Sequence, residues 1–151
     1  MIIEKEISQF KEALAELYNK VSGPPQVTLV IVNKRINQRM FIEGQSGAAN
    51  PQPGSIIDSI LVEHHTERNC FDFFLVPQAV TQGCVTPTHF YVSLNEGDGI
   101  SKEDLEKITY DFCYTYSNWS GSIKVPAPCM YAHKIADYHT SRDRTNVLKD
   151  I

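Results

Sequence analysis

The sequence predicts an α/β fold, a mixed β-sheet flanked by helices in two or three layers. Apolar residues at helical spacing open the chain and return after residue 100, and short β-branched or aromatic runs separated by turn residues lie between them. A length of 151 residues makes one domain of ordinary size, and 42% hydrophobic with 21% charged residues is the balance of a chain that buries a core.

From Glu4 to Lys20, Ile7, Phe10, Leu14, Leu17 and Val21 recur every three to four positions, which places them on one helical face. Gly23-Pro24-Pro25 stops this helix, because proline cannot donate the next backbone hydrogen bond. Val27–Val32 is continuously apolar and β-branched, the pattern of a central strand, and Arg39–Glu43 is expected to be its hairpin partner. Gly44–Gly54 reads as an exposed loop, and Ser55–Val62, Phe71–Val76 and His89–Leu94 read as further strands. Ser101 followed by Asp104 has the form of a helix N-cap, and Leu105, Ile108, Phe112 and Tyr116 carry that second helix to about Ser117. Asn118–Pro128 is then a loop, Cys129 to about His139 a third helix, and residues 140–151 a frayed tail of weak apolar content.

Charge is uneven. Fourteen basic against eighteen acidic residues leave a net −4, which speaks against a general polyanion binder. Residues 95–111 hold six acids and two lysines, so that stretch accounts for the whole net charge. Elsewhere Lys34, Arg35 and Arg39 stand together with no acid among them, a local positive patch. No apolar run reaches the roughly 18 residues that span a bilayer, and the first residues lack the form of a signal peptide, so no membrane partner is expected. Cys70, Cys84, Cys113 and Cys129 have no zinc-ligand spacing and are expected to be reduced, mostly buried thiols of a cytoplasmic or nuclear protein.

Five segments carry a resemblance: Val32-Asn-Lys-Arg-Ile-Asn-Gln-Arg-Met-Phe41, Asn50-Pro-Gln-Pro-Gly-Ser-Ile-Ile-Asp58, Phe71-Asp-Phe-Phe-Leu-Val-Pro-Gln-Ala-Val-Thr-Gln-Gly83, Pro87-Thr-His-Phe-Tyr91 and Asn118-Trp-Ser-Gly-Ser-Ile-Lys-Val-Pro-Ala-Pro-Cys-Met-Tyr-Ala-His-Lys134. In order and spacing they resemble the Piwi domain of the Argonaute superfamily, closer to its Piwi than its Argonaute subfamily. The likeness runs from about residue 4 to 139 and corresponds to the carboxy-terminal part of that domain. It implies a partial ribonuclease H-like fold and a place in small-RNA-guided silencing, with a small guide RNA and a complementary target RNA as partners.

The resemblance puts Lys34, Arg35 and Arg39 along the guide strand, where each cation can neutralise a backbone phosphate. Gln82 beside Gly83, Tyr116 and Lys124 match positions near the guide backbone. From pattern alone the patch reads first as a solvated hairpin, and Tyr116 first as a core aromatic. His133 occupies the histidine position of a two-metal centre that active members complete with two Asp and one Glu. Those carboxylates belong to family segments that precede the opening helix, so the resemblance implies no cofactor for this chain, and magnesium or manganese only in a complete domain. Holding two cations about 3.5–4 Å apart requires such carboxylates, and one imidazole cannot replace them. The chain is therefore expected not to cut RNA alone.

Asp58 and Asp72 match no catalytic position. Asp58 is expected to bond nearby amides, and Asp72 to face solvent or a neighbouring loop. His133 and Asp137, one helical turn apart, share a metal or simply hydrogen-bond. His64-His65 projects to opposite sides of a strand. Thr86 and Met130 depart from the family pattern, which implies weaker guide affinity, Asp137 puts a negative charge near the expected nucleic-acid side, and the tail from Thr145 does not resemble the family's apolar end. Two rival readings remain open: a fragment of a longer magnesium-dependent slicer, and a protein-interaction or structural domain that binds no RNA.

Overall fold

The structure, a computed structural model, describes residues 2–18, 25–44, 47–59, 70–97 and 100–147. In chain order the elements are α1 (Ile2–Tyr18), β1 (Thr28–Asn33), β2 (Ile42–Gly44), β3 (Gly47–Ala49), β4 (Ile56–Ile57), β5 (Phe71–Leu75), β6 (Thr88–Asn95), α2 (Lys102–Phe112) and α3 (Ala127–Val147). Four strands form one sheet in the order β1-β6-β5-β4, and β2 and β3 form a separate ribbon. The α/β class stands. Of the mixed strand directions expected, the described pairings show antiparallel ones throughout.

The expected hairpin between β1 and residues 39–43 is replaced by a pairing with β6, in which Val30 faces Val92 and Val32 faces Phe90. Apolar β6 offers β1 a longer partner, and residues 34–41 instead send Ile36 and Met40 into a second core. Ile42–Gly44, at the end of the expected Arg39–Glu43 strand, pairs with Gly47–Ala49, which lies inside the segment expected to be a loop. The strand expected over 55–62 is seen at Ile56–Ile57; residues 60–62 and His64-His65 lie outside the described residues.

Alternation along the strands builds two apolar clusters. Phe71, Phe73, Leu75, Phe90, Val92 and Leu105 of α2 form the larger. The Phe73 and Phe90 rings, both fully buried, stack at 5.1 Å and 11°. Met40, Phe74, Val76 and Val85 form the smaller cluster, with Ile36 and Ile57 packed against it. Fully burying one such aromatic stabilises the fold by roughly 1.5–3 kcal/mol.

Helix boundaries follow local bonding. Ser101 caps α2, its hydroxyl accepting the Asp104 amide at 3.1 Å. The helix ends at Phe112, short of the expected Ser117, because the Cys113 carbonyl accepts from Ile123 (2.9 Å) and the chain turns through short-range bonds at Tyr114 and Thr115. α3 starts before Cys129: Pro126 lacks an amide to satisfy, and its carbonyl receives the Cys129 and Met130 amides. Residues 148–151 of the expected tail lie outside the described residues, and the helix runs on to Val147, past the expected end near His139. No proline or glycine interrupts that stretch, and the Thr140 hydroxyl donates to the Ala136 carbonyl at 2.9 Å. Every residue from Tyr131 to Thr140 is exposed, Ile135 and Tyr138 among them, so this stretch of α3 buries no apolar stripe.

The solvent-facing expectation for Asp72 is corrected, and other polar groups have partners of their own. Asp72 is half-buried and bonds His89 across the strands at 2.7 Å, while Phe74 stacks on that imidazole at 4.5 Å. Asp58 forms an ion pair with Lys102 at 2.6 Å, which ties β4 to α2. Cys84 and Cys129 are exposed, and Cys70 and Cys113 are buried. On α1, Ile7 and Leu14 are half-buried, but Phe10 and Leu17 are exposed, and Lys11 reaches Glu96 in an ion pair.

Burial on α2 pushes the Glu106 carboxyl above the usual carboxylate range, and the negative charge of Asp58 pushes it further. The unfolded chain then releases that proton first, so stability falls as pH rises from the ordinary glutamate range through the raised value. Glu106→Gln is expected to flatten this fall. Equal pH slopes for the two proteins in denaturant unfolding would contradict it.

Candidate nucleic-acid interface

Residues 34–41 leave β1 as a loop with a two-sided pattern. Ile36 and Met40, four positions apart, turn inward to the smaller cluster, while Lys34, Arg35 and Arg39 stay exposed. Packing thus holds the backbone and leaves the cations in water. Arg39 folds over its own turn, donating from Nη1 to the carbonyls of Gln38 (2.9 Å) and Ile36 (3.3 Å), so most of its fork stays available.

Lys124 arrives from the loop before α3. Buried Val125, Pro126 and Ala127 follow it, and its carbonyl accepts the Thr88 hydroxyl at 2.8 Å. The residue is half-buried. Partial burial pushes the ammonium below the usual lysine range, and the positive charges of Arg39 and Lys34 push it the same way. Cations some 85 to 90 positions apart in sequence are therefore electrostatic neighbours. An anion placed among them would relieve their mutual repulsion.

Gln82 is exposed in a second loop, where Gly83 adopts a left-handed φ of 80° that favours glycine. Asn50, unmarked by the sequence reading, secures this loop from both sides: its amide donates to the Gly83 carbonyl (2.9 Å) and its oxygen accepts the Val85 amide (3.0 Å). Val85 is buried with Met40 and Ile36, so the Gln82 and Lys34–Arg39 loops share one anchor. A single Asn far away in sequence carries no local signal for this task. Asn50→Ala is expected to cost about 1–3 kcal/mol and to speed hydrogen exchange at the Val85 amide; unchanged exchange would remove the clamp.

Tyr116 is buried, 5.4 Å from the Tyr131 ring, with the Lys134 ammonium 5.1 Å from its centre. The Tyr131 hydroxyl bonds both Ser117 Oγ (2.7 Å) and the Ser117 amide (3.0 Å), locking α3 to the segment after α2. Tyr116 thus has the packing position that its helical spacing allowed, and Lys134 adds a cation that the sequence reading did not single out.

His133 lies on the exposed side of α3, 3.6 Å from Asp137, both side chains more than 60% exposed. Among the described residues no three His, Cys, Asp or Glu side chains converge as a metal site. One imidazole and one solvated carboxylate do not fit a magnesium pair, which demands several oxygen ligands in near-octahedral order.

Solved structures that superpose on this chain include Argonaute and Piwi proteins of ribonuclease H-like fold. The crystal structure of Drosophila Piwi matches with a TM-score of 0.73 and 40% identity, covering 89% of this chain and 18% of that one. Kluyveromyces polysporus Argonaute, solved with a guide RNA, shares the fold at a TM-score of 0.66 and 24% identity, over 85% of this chain and 15% of its own.

The chain belongs to the Piwi domain family, whose model matches residues 1–142. Piwi-like protein Ago3 of Bombyx mori is 46% identical over 112 residues, 74% of this chain, and protein piwi of Drosophila melanogaster is 40% identical over 136 residues, 89% of it. The chain spans 12% and 15% of the length of these two relatives.

Proposed function

We propose that this chain grips the sugar-phosphate backbone of a small guide RNA, alone or paired to its target, within small-RNA-guided silencing in the cytoplasm or nucleus. Lys34, Arg39 and Lys124 take phosphates, with Arg35 beside them and the Gln82 amide flanking the same strand, while buried Tyr116 supports this side from within the packing. The observation that carries this reading is that exposed Lys34 and Arg39 act electrostatically on half-buried Lys124, far from them in the chain. Family membership supports it, as does the guide RNA held by the yeast Argonaute of like fold.

On this reading the chain binds without cutting on its own, because among the described residues His133 has only the Asp137 carboxylate beside it, and two-metal cleavage needs several. Adding magnesium or manganese to the purified chain with guide and labelled target is expected to give no cut product. Metal-dependent cutting that His133→Ala abolishes would overturn this part. A second reading places the chain within a longer nuclease, and the exposed His133 favours it, since carboxylates from another segment can reach that imidazole. The binding itself is tested by fluorescence anisotropy with a labelled RNA over a range of salt. Affinity that falls steeply with salt supports phosphate contacts, and salt-independent or absent binding defeats them.

A further inference from the structure

We propose that Trp119 is a stacking platform for an unpaired nucleobase, resting on the phosphate-gripping reading above and naming where the strand's bases go. Trp119 is 62% exposed, an unusual position for the chain's single tryptophan. It borders a cleft of about 420 Å³, lined also by Gln78, Ala79, Gly121, Ser122 and Ile123. That volume falls within the roughly 300–1,000 Å³ of clefts that take small planar ligands.

The loop that carries the indole is fixed at both ends. The Trp119 amide donates to the Tyr116 carbonyl at 3.1 Å, and the Ile123 amide to the Cys113 carbonyl at 2.9 Å. Gly121 lets the indole lie close over the backbone: a Cβ there would meet Trp119 Nε1 at 3.0 Å. The side chain is thus seated on one side and open on the other. Gln78 and Ser122 bring an amide and a hydroxyl to the rim, polar groups suited to a base edge.

The occupant follows from charge and continuity. Ile123 in the cleft wall is directly followed by Lys124, the cation that joins Lys34 and Arg39. A strand whose phosphates neutralise those three charges runs past the cleft, and a basic track beside an exposed aromatic is how single strands are held without regard to sequence.

Because the chain has one tryptophan, its emission reports on this site directly. The purified chain is titrated with a short oligouridylate and with the same strand carrying abasic riboses, following tryptophan emission and, on labelled strands, anisotropy. Quenching by the base-bearing strand is expected, with little change from the abasic one. Trp119→Ala is expected to weaken the base-bearing strand by about 5- to 150-fold and leave the abasic strand nearly unaffected, with Trp119→Phe retaining most of the preference. Salt-sensitive binding with unchanged emission and equal affinities for the two strands would sink the stacking assignment and leave the phosphate grip standing. A chain that binds neither strand overturns both.

Discussion

Phe90→Ala is expected to lower the unfolding free energy by about 3–5 kcal/mol, a large share of the roughly 5–15 kcal/mol that holds a domain together. Phe90 is fully buried in the middle of the four-stranded sheet, faces Val32 on one side and Phe73 on the other, and stacks on the Phe73 ring. Removing it takes away buried apolar surface and leaves a void lined by rigid strands, which relax less readily than a surface loop. Phe10→Ala, at an exposed position on α1, is expected to stay within about 0.5 kcal/mol. Chemical denaturation of the two variants checks the contrast. A Phe90 variant as stable as the Phe10 variant would show that the sheet is not the centre of the fold.

Neutralising the three converging cations is expected to produce the second large effect. With Lys34→Ala, Arg39→Ala and Lys124→Met combined, the slope of log affinity against log salt should flatten by about 2 on single strands and nearly 3 on duplex, each phosphate contact contributing about 0.7 or 0.9. Methionine at 124 keeps a flexible apolar stem in the half-buried position, so the loop before α3 keeps its packing. Lys107→Ala, on the exposed face of α2, serves as the control and should leave the slope unchanged. The same flattening from Lys107→Ala would mean that binding follows overall charge rather than this face.

Much of the sheet was legible because its signals are local. Phe71–Leu75 and Thr88–Asn95 announce themselves by β-rich apolar runs, and Ser101 by its capping hydroxyl. Partner choice was not legible. Whether Val30 and Val32 meet residues next in sequence or β6 depends on which pairing buries more, and a single strand's pattern does not state it. The length of α3 was missed for the opposite reason: expecting an apolar stripe hides a helix that lies in solvent.

At the candidate site, Lys34, Arg35 and Arg39 stood out as a charge cluster in the sequence, but the arrival of Lys124 beside them is a tertiary event. Tyr116 shows how helical spacing and a family position can mark one residue for two roles, and the rings of Tyr131 and Tyr116 give it the packing one. Asn50 and the Asp72–His89 pair had no sequence signal, because each acts through a partner distant in the chain.

The pairing of β1 with β6 also orders events at the ribosome. Thr28 and its partner Asn95 are 67 positions apart, so at about 5–20 residues per second the Val27–Val32 segment waits roughly 3–13 s before its partner has been synthesised. Through that interval a sticky β-prone run is bare on a growing polypeptide, open to pairing with another copy or to a holding chaperone. Synthesis halted ahead of Thr88 would make that condition permanent, so aborted products of this message should be cleared or clump rather than linger as half-built domains.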